Sequence, residues 1–285
     1  MKITTLIEDS FGKNKDLANE HGLSFFIETI KGNILFDTGK SDKIIDNSKK
    51  LDINLHTTKS LILSHSHYDH CGGVKNLLDT FEFKPELYIH KNFFKNANRY
   101  HRLNNNKNHT DLRAYKYIGI DFDESYIRSK EININYVGCS MTKIIDNIYV
   151  FANFQRNCLF EDLNERMMIK NEEEQYVIDS FDDEIVVGLD TEKGLIILLG
   201  CSHPGVINIL NTISKVTLKK IYGIFGGTHL IEADEQRIIK TINKLKEMEI
   251  KLIGVSHCTG DRAIDLFSRS YSNFFINNTG SVIYI

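Results

Sequence analysis

The N-terminal part of the chain alternates short apolar runs with polar turns, a pattern typical of β-strands. The runs KITTLI, LSFFIETI, NILFDTG and SLILSH, which begin at residues 2, 23, 33 and 60, predict four successive strands. The next segment, GGVKNLLDTF, places Val74, Leu77 and Leu78 at helical spacing, and ELYIH after it predicts another strand. This part of the chain is therefore predicted to be mainly a sheet, followed by a helix.

The second part of the chain repeats this alternation with longer helices. Strands are predicted over KIIDNIYVFANF, EIVVGLD, GLIILLGCSH, KKIYGIFGGTHL, KLIGVSHCTG and GSVIYI. Helices are predicted over GVINILNTISKV, EADEQRIIKTINKLKEM and DRAIDLFSRSY. Strands followed by strand-helix alternation, in two similar halves, indicate an α+β fold in which two sheets pack face to face with helices outside.

Residues 91–130 are more polar, rich in asparagine and locally basic. We predict a helix followed by an insertion or lid-like loop here, within a single domain that spans residues 1–285. His101 and His109 are expected on the surface. The cationic and aromatic side chains of this segment are Arg99, Tyr100, Arg102 and Lys107. They either contact a substrate phosphate or are simply solvated, and solvation is the commoner case for such a cluster.

Charge and composition narrow the choice of partners. The 285 residues carry 35 lysines and arginines against 38 aspartates and glutamates, a net charge of -3, so no basic field attracts nucleic acid or an anionic membrane. A small-molecule substrate is expected, and the oligomeric state stays open. No apolar window reaches the length of a membrane span, and five scattered cysteines fit a reducing compartment, so we predict a cytoplasmic protein.

The densest polar cluster is HSHYDH at residues 65–70, directly after the apolar run SLIL. Imidazole and carboxylate groups are the ligands of zinc and similar metals. In an extended segment His65 and His67 lie on the same side and can hold one ion. Asp69 and His70 point elsewhere as the chain turns into the helix, so this pair can hold a second ion.

Three more histidines follow apolar strands, at positions 203, 229 and 257. Loops at the ends of strands are where such scaffolds build their sites, so these side chains are expected to converge on one pocket. His229 could bind substrate or act as a general acid, or it could merely be hydrogen-bonded nearby. His21 could approach the pocket or serve a turn, and Cys258 is expected to be structural.

The motif His65-Ser66-His67-Tyr68-Asp69-His70 resembles the H-x-H-x-D-H signature of the metallo-β-lactamase superfamily, and ILFDTG is similar to the aspartate-containing strand end that precedes it there. The stretches NEHGLSFFIE, GLIILLGCSHPGVINIL, IYGIFGGTHL and VSHCTG resemble a subgroup related to archaeal dihydropteroate-synthase-like enzymes. The resemblance implies an αββα sandwich with a metal site along the edge where strands end.

The resemblance also implies two divalent metal ions, zinc first, with iron or manganese as alternatives. It assigns His65, His67 and His203 to the first ion. It assigns Asp69, His70 and His257 to the second ion. Asp37 would be a carboxylate behind the ligands that orients one of them or a bridging water.

One departure from the family concerns the aspartate that bridges both ions in many members. The turn we compare with it reads Gly200-Cys201-Ser202-His203. Either Cys201 stands in for that aspartate, or the bridge is only the solvent hydroxide and His203 alone serves from this loop. We favour the second, with Cys201 as a small buried residue beside the site, because free cysteine usually packs as a hydrophobe.

The predicted function is a metal-dependent hydrolase that uses a metal-bound hydroxide on a phosphoester or related small molecule, with Asp69 and His229 as catalytic side chains. Coordination lowers the pKa of water to about 7, so no serine nucleophile is needed, and the sequence contains no G-x-S-x-G motif. Two alternatives stay open. One is a dihydropteroate-synthase-like transferase that joins a pterin to an aminobenzene ribosyl phosphate; the other is a non-catalytic metal or ligand sensor.

Overall fold

The structure, a computed structural model, describes residues 1–80, 83–103 and 112–285. Within these ranges the chain forms seventeen strands and seven α-helices. The strands are β1 (Lys2–Ile7), β2 (Ser24–Glu28), β3 (Asn33–Phe36), β4 (Thr58–Ile62), β5 (Glu86–His90), β6 (Arg99–Arg102), β7 (Tyr115–Tyr117), β8 (Ile134–Val137), β9 (Met141–Ile145), β10 (Ile148–Phe151), β11 (Met167–Lys170), β12 (Tyr176–Ile178), β13 (Val186–Thr191), β14 (Gly194–Leu199), β15 (Ile221–Gly226), β16 (Leu252–Val255) and β17 (Val282–Tyr284). The helices are α1 (Lys43–Lys50), α2 (Tyr68–Cys71), α3 (Val74–Thr80), α4 (Glu124–Ser129), α5 (Val206–Thr217), α6 (Glu235–Glu247) and α7 (Asp261–Ser270).

Two large sheets form the centre of the molecule. The first has the strand order β17-β1-β2-β3-β4-β5-β8, and the second has the order β16-β15-β14-β13-β10-β9. Strands β3, β4, β5 and β8 run parallel to one another, as do β14, β15 and β16. Parallel strands end at the same edge of a sheet, so the loops that follow β3, β4, β14, β15 and β16 can meet there.

The apolar core lies in three layers, which explains why the strands are apolar on both faces. Leu61 packs toward the helices on the first sheet, whereas its neighbour Ile62 packs between the two sheets. In β14, Leu198 packs between the sheets and Ile197 packs toward the helices on the second sheet. Successive side chains of a strand point to opposite faces, so each central strand contributes to two layers. This arrangement confirms the predicted α+β fold and its αββα layering.

Two segments differ from their predicted elements. The single strand predicted over KIIDNIYVFANF is a hairpin of β9 and β10, because Asp146 and Asn147 form a turn in which Asn147 has φ 65°. Residues 91–96 form hydrogen-bonded turns where a helix was predicted. Strands β6 and β7 from the 91–130 segment then join β11 and β12 in a third, four-stranded sheet. A lid role for this segment stays a prediction, and Lys107 and His109 lie outside the described residues.

Over the part of the chain that the structure describes, no helix is both long enough and apolar enough to cross a membrane.

Candidate metal centre

The loops at the shared strand-end edge adopt backbone conformations that are uncommon for residues other than glycine. Asp37 has φ 58°, Ser202 has φ 63°, His229 has φ 47° and His257 has φ 55°. Each follows β3, β14, β15 or β16 directly or within a few residues. Left-handed conformations at such residues are costly and cluster at functional sites, where the surrounding structure holds them. Of these residues, His229 and His257 line one cavity.

The first predicted ligand set, His65, His67 and His203, comes together in the structure. Nε2 of His65 lies 2.9 Å from Nδ1 of His67, and the ring of His203 lies 4.9 Å and 5.0 Å from their rings. Burial, followed by the neighbouring histidines and Arg99, holds the pKa of each imidazole well below its usual value. All three are therefore neutral at pH 7, the state in which histidine binds a metal.

The second predicted set, Asp69, His70 and His257, converges on one carboxylate oxygen. Oδ2 of Asp69 lies 3.4 Å from Nε2 of His257 and 3.7 Å from Nε2 of His70. Burial by itself would raise the pKa of Asp69, but the two histidines outweigh it and hold the pKa well below its usual value. Asp69 is thus an ionised carboxylate in a buried position, ready to bind a cation.

Asp37 lies behind both sets and connects them, as the resemblance implies. Its Oδ2 is 2.7 Å from Nδ1 of His70 and accepts a hydrogen bond from the Ser64 hydroxyl at 2.7 Å. The same hydroxyl lies 2.9 Å from Nδ1 of His65. Because the Nδ1 atoms of His70 and His65 are engaged by Asp37 and Ser64, both rings present Nε2 to the centre, as is usual for histidines that bind metals.

Two of the predicted ligands have a buried nitrogen atom that lacks a hydrogen-bond partner. Nε2 of His67 and Nε2 of His203 are buried and have no hydrogen-bond partner. A buried polar atom without a partner costs about 1–3 kcal/mol, so such atoms call for an explanation. Imidazole and carboxylate groups match the preferences of zinc and similar ions. The residues therefore fit divalent metal ions.

The sulfur of Cys201 lies between the two sets. Cys201 Sγ, His65 and His203 form one group of possible ligand atoms within 4.8 Å of one another, and Cys201 Sγ, His70 and His257 form another. Sγ is 3.2 Å from Nε2 of His70. This placement favours the alternative in which Cys201 stands in for the bridging aspartate over the packing role that we favoured from the sequence.

The centre forms the floor of a cavity of about 480 Å³. His229 is at its mouth, with its ring 4.3 Å from that of His203, and burial lowers the pKa of His229 to about 4. His101, which we expected on the surface, is half-buried and lines the cavity, because β6 lies across the mouth. Cys258 also lines it but belongs to neither ligand group among the described residues.

Asp9 and His21 extend the site toward solvent. The carboxylate of Asp9 is 2.9 Å from Nδ1 of His21 and 2.7 Å from Nδ1 of His257, and Nε2 of His21 is 3.3 Å from Oδ2 of Asp69. His21 therefore approaches the pocket, one of its two predicted roles. We did not predict Asp9 as a site residue, although it follows strand β1 closely, as the other site residues follow their strands.

Arg99 and Phe181 support the centre from behind and were also missed. Arg99 is fully buried, and its guanidinium group contacts Asp179, Asp183 and the hydroxyl of Ser66, so it is neither a phosphate-contacting nor a solvated residue. It lies 4.8 Å from the centre of the Phe181 ring, which stacks on His203 at 3.8 Å. Arg102 is also buried, which a solvated cluster would not be.

Glu184 holds the loop that presents His203. Its two carboxylate oxygens accept hydrogen bonds from the backbone N–H groups of Ser202 at 2.6 Å and His203 at 2.8 Å. Glu161 does the same for Ile207 at 2.9 Å and Asn208 at 2.8 Å, at the beginning of α5. Both glutamates thus accept hydrogen bonds from two successive backbone N–H groups, but only Glu184 accepts one from a predicted ligand residue.

We expect Glu184→Gln to lower both stability and metal affinity at the first position. The amide nitrogen would face a backbone donor, which costs about 1–3 kcal/mol of unfolding free energy. It would also loosen the turn that orients His203. Glu161→Gln is the matched control and should lose similar stability but keep its metal affinity. Urea unfolding and zinc titration measure the two effects, and equal zinc affinity in both variants would contradict the role of Glu184.

Comparisons with known proteins give consistent results. The sequence profile of the metallo-beta-lactamase superfamily matches residues 18–132. A 7,8-dihydropterin-6-methyl-4-(beta-D-ribofuranosyl)-aminobenzene-5'-phosphate synthase of Methanocaldococcus jannaschii is 33% identical over 96% of this chain and 93% of its own length. The crystal structure of a metal-dependent hydrolase of the beta-lactamase superfamily is 26% identical, with a TM-score of 0.83 over 100% of this chain and 99% of that chain. Human tRNase Z, short form, is 13% identical and shares the fold, with a TM-score of 0.56 over 100% of this chain and 99% of that chain.

Proposed function

Because the chain belongs to the metallo-β-lactamase superfamily, we propose that it is a metal-dependent hydrolase of phosphoesters or related small molecules. One observation carries the proposal. Buried imidazole nitrogens without hydrogen-bond partners, on His67 and His203, converge with the ionised Asp69 on the floor of an accessible cavity. The superfamily membership and the relation to a synthase support an enzyme, and the reaction type is the part that we propose.

The residues divide the work as follows. His65, His67 and His203 would hold one ion, and Asp69, His70 and His257 would hold the other. When bound, such ions lower the pKa of water to about 7 and polarise the oxygen of the group under attack. Asp37 keeps Nδ1 of His70 engaged, so the ring does not have to reorient during the reaction.

The mouth of the cavity suits an anionic substrate. Lys116 lines the cavity and is exposed, with its ammonium group 5.9 Å from the centre of the Tyr68 ring. Lys40 lies 5.7 Å from the centre of the same ring. Two lysines beside one half-buried aromatic ring favour a substrate that carries a phosphate next to a flat ring.

The test begins with metal analysis of protein purified without chelator, followed by a panel of phosphodiesters, phosphomonoesters, thioesters and lactams. We expect two ions per chain, zinc before iron or manganese, and turnover of at least one phosphoester that chelation abolishes. Protein that retains no transition metal would contradict the proposal, as would metal-loaded protein that hydrolyses none of the panel.

We expect His229→Ala to leave both ions bound and to lower turnover. With its pKa lowered to about 4, His229 is neutral at pH 7 and acts as a hydrogen-bond donor to the substrate rather than as a protonated acid. The loss should therefore be larger for an ester with a poor leaving group, while the pH profile between 6 and 8 keeps its shape. Rates on one activated and one unactivated ester, with metal stoichiometry, test this. Unchanged rates on both would remove His229 from the site.

The relative from Methanocaldococcus jannaschii favours a second candidate, a transferase. In that reaction the ions would bind the leaving diphosphate of a pterin, and the pocket would keep water away while an aminobenzene ribosyl phosphate attacks the pterin methyl carbon. Supplying both reactants distinguishes the candidates: a joined product indicates the transferase, and release of the pterin alcohol indicates the hydrolase. A non-catalytic sensor is disfavoured because the cavity leaves the centre accessible.

A further inference from the structure

Cys201 is the residue that both candidate metal positions share. Its sulfur falls within 4.8 Å of the ligand atoms of His65 and His203 and, separately, of those of His70 and His257. Among the described residues, it alone belongs to both of these groups. A side chain that only filled space would have no reason to face four imidazole rings at once.

The local structure keeps the sulfur in this position. Cys201 is 3% exposed and directly follows Gly200, where a Cβ atom would lie 2.5 Å from the Ser64 hydroxyl oxygen. It directly precedes Ser202, whose backbone N–H donates to Glu184. The close approach on one side and the anchored turn on the other leave the Cys201 side chain little freedom to turn away from the centre.

Gly227, which directly follows β15, lies next to Cys201 and has no side chain that could bind a metal. A Cβ atom on Gly227 would lie 2.5 Å from both the sulfur of Cys258 and the carbonyl oxygen of Gly200. This approach excludes a carboxylate side chain at position 227. Among the described residues, the thiol of Cys201 is the side-chain group that the two histidine groups share.

We propose that Cys201, as a thiolate, is a ligand common to both metal positions and thereby selects a thiophilic ion. When the ions bind, the thiol proton would pass to solvent and the sulfur would bond to both ions, so that this residue would release one proton per chain. Thiolate ligands favour zinc, whereas manganese prefers oxygen ligands. The inference rests on the metal centre of the proposed function and narrows its choice of metal from zinc, iron or manganese to zinc or iron.

Cobalt(II) provides a readout that does not depend on turnover. We expect the full chain, stripped of metal and loaded with cobalt(II), to show the near-ultraviolet band of thiolate-to-cobalt charge transfer. Cys201→Ser should lose this band while it still binds cobalt through the histidines. Cys258→Ser is the matched control, a cysteine in the same cavity but outside both groups, and should keep the band. A band that persists in Cys201→Ser, or that is absent from wild-type protein with two bound cobalt ions, overturns the proposal.

Cadmium-113 resonance spectra of the wild-type protein test the sharing itself and do not depend on the folding of a variant. Two signals, both shifted downfield of the range for nitrogen and oxygen ligands, are expected. A single shifted signal beside an unshifted one overturns the shared position, because the sulfur would then bind one ion only. Failure of the phosphoester panel with both signals shifted would contradict the proposed reaction and leave this inference standing.

Selectivity gives an independent measure. Cys201→Asp replaces the sulfur by an oxygen donor, and we expect it to reduce the preference for zinc over manganese by at least about tenfold. Loss of a residue that only supports a metal ligand already lowers metal affinity by about this factor. The Cys258→Ser control should keep the wild-type preference. An unchanged ratio of zinc to manganese affinity in Cys201→Asp would overturn the selective role.

Discussion

Replacing Arg99 with methionine is expected to lower the free energy of unfolding by about 3–5 kcal/mol, the range for a buried ion pair that loses one partner. Nε of Arg99 donates to Asp179 at 2.6 Å, and Nη1 donates to Asp183 at 3.0 Å. All three side chains are buried. Methionine fills much of the volume, so the cost comes from two carboxylates without a cationic partner rather than from a void.

The effect should depend on pH, and its sign follows from Asp183. Burial already raises the pKa of Asp183, and Arg99 opposes that rise. Without Arg99 the folded protein would hold a proton on Asp183 that the unfolded chain releases. The stability of the variant therefore falls as pH rises above about 4, the unfolded value, and the deficit is larger at pH 8 than at pH 5.5.

Urea unfolding at both pH values measures this prediction, with Arg128→Met as the control. Arg128 also pairs with an acidic side chain, Glu124, but both are exposed on α4, and its loss should not measurably change stability. Because Arg99 reaches His203 through Phe181, zinc affinity at the first position should also fall in Arg99→Met. Equal unfolding curves for the two variants would show that the buried cluster contributes nothing to stability.

Replacing Asp69 with alanine is expected to reduce turnover by at least about 100-fold. Loss of a residue that only supports a metal ligand costs up to about this factor, and loss of the ligand itself should cost at least as much. Asp69 is the one carboxylate in the predicted ligand sets. Its Oδ2 faces His70, His257 and His21 within 3.7 Å. Without it, the second position has no carboxylate, and only Cys201 can balance the charge of an ion.

Metal content should fall from two ions to one in Asp69→Ala, while the melting temperature of the metal-free protein changes little, because Asp69 lies in the short helix α2 beside the cavity rather than in an apolar layer. Asp79→Asn, an exposed aspartate on α3, is the control for a surface charge. Elemental analysis, turnover and thermal unfolding are compared on the same preparations. Parallel loss of folding and turnover would show that Asp69 is mainly structural.

The periodicity of the sequence determined most of the framework. Strands buried on both faces, such as SLIL and LIILL, are continuous apolar runs, and a polar residue that follows such a run lies at a strand end whatever the rest of the fold does. The cluster of His65, His67, Asp69 and His70 is visible in the sequence because its members lie close together in the chain, after one such apolar run. His203 and His257 were found by applying this strand-end rule to the second half of the chain, and the family resemblance divided the six residues into two sets.

Only the tertiary structure decided which distant residues support these ligands. Arg99 lies in a polar, basic stretch that is typical of a solvated surface, and its burial depends on Asp179 and Asp183, about eighty positions away. Asp9 reaches His257 across a separation of 248 residues, and Cys201 meets His70 across 131. A local pattern records how a residue faces its own strand or helix, but the burial of a charge or a thiol depends on the partners that the fold brings to it.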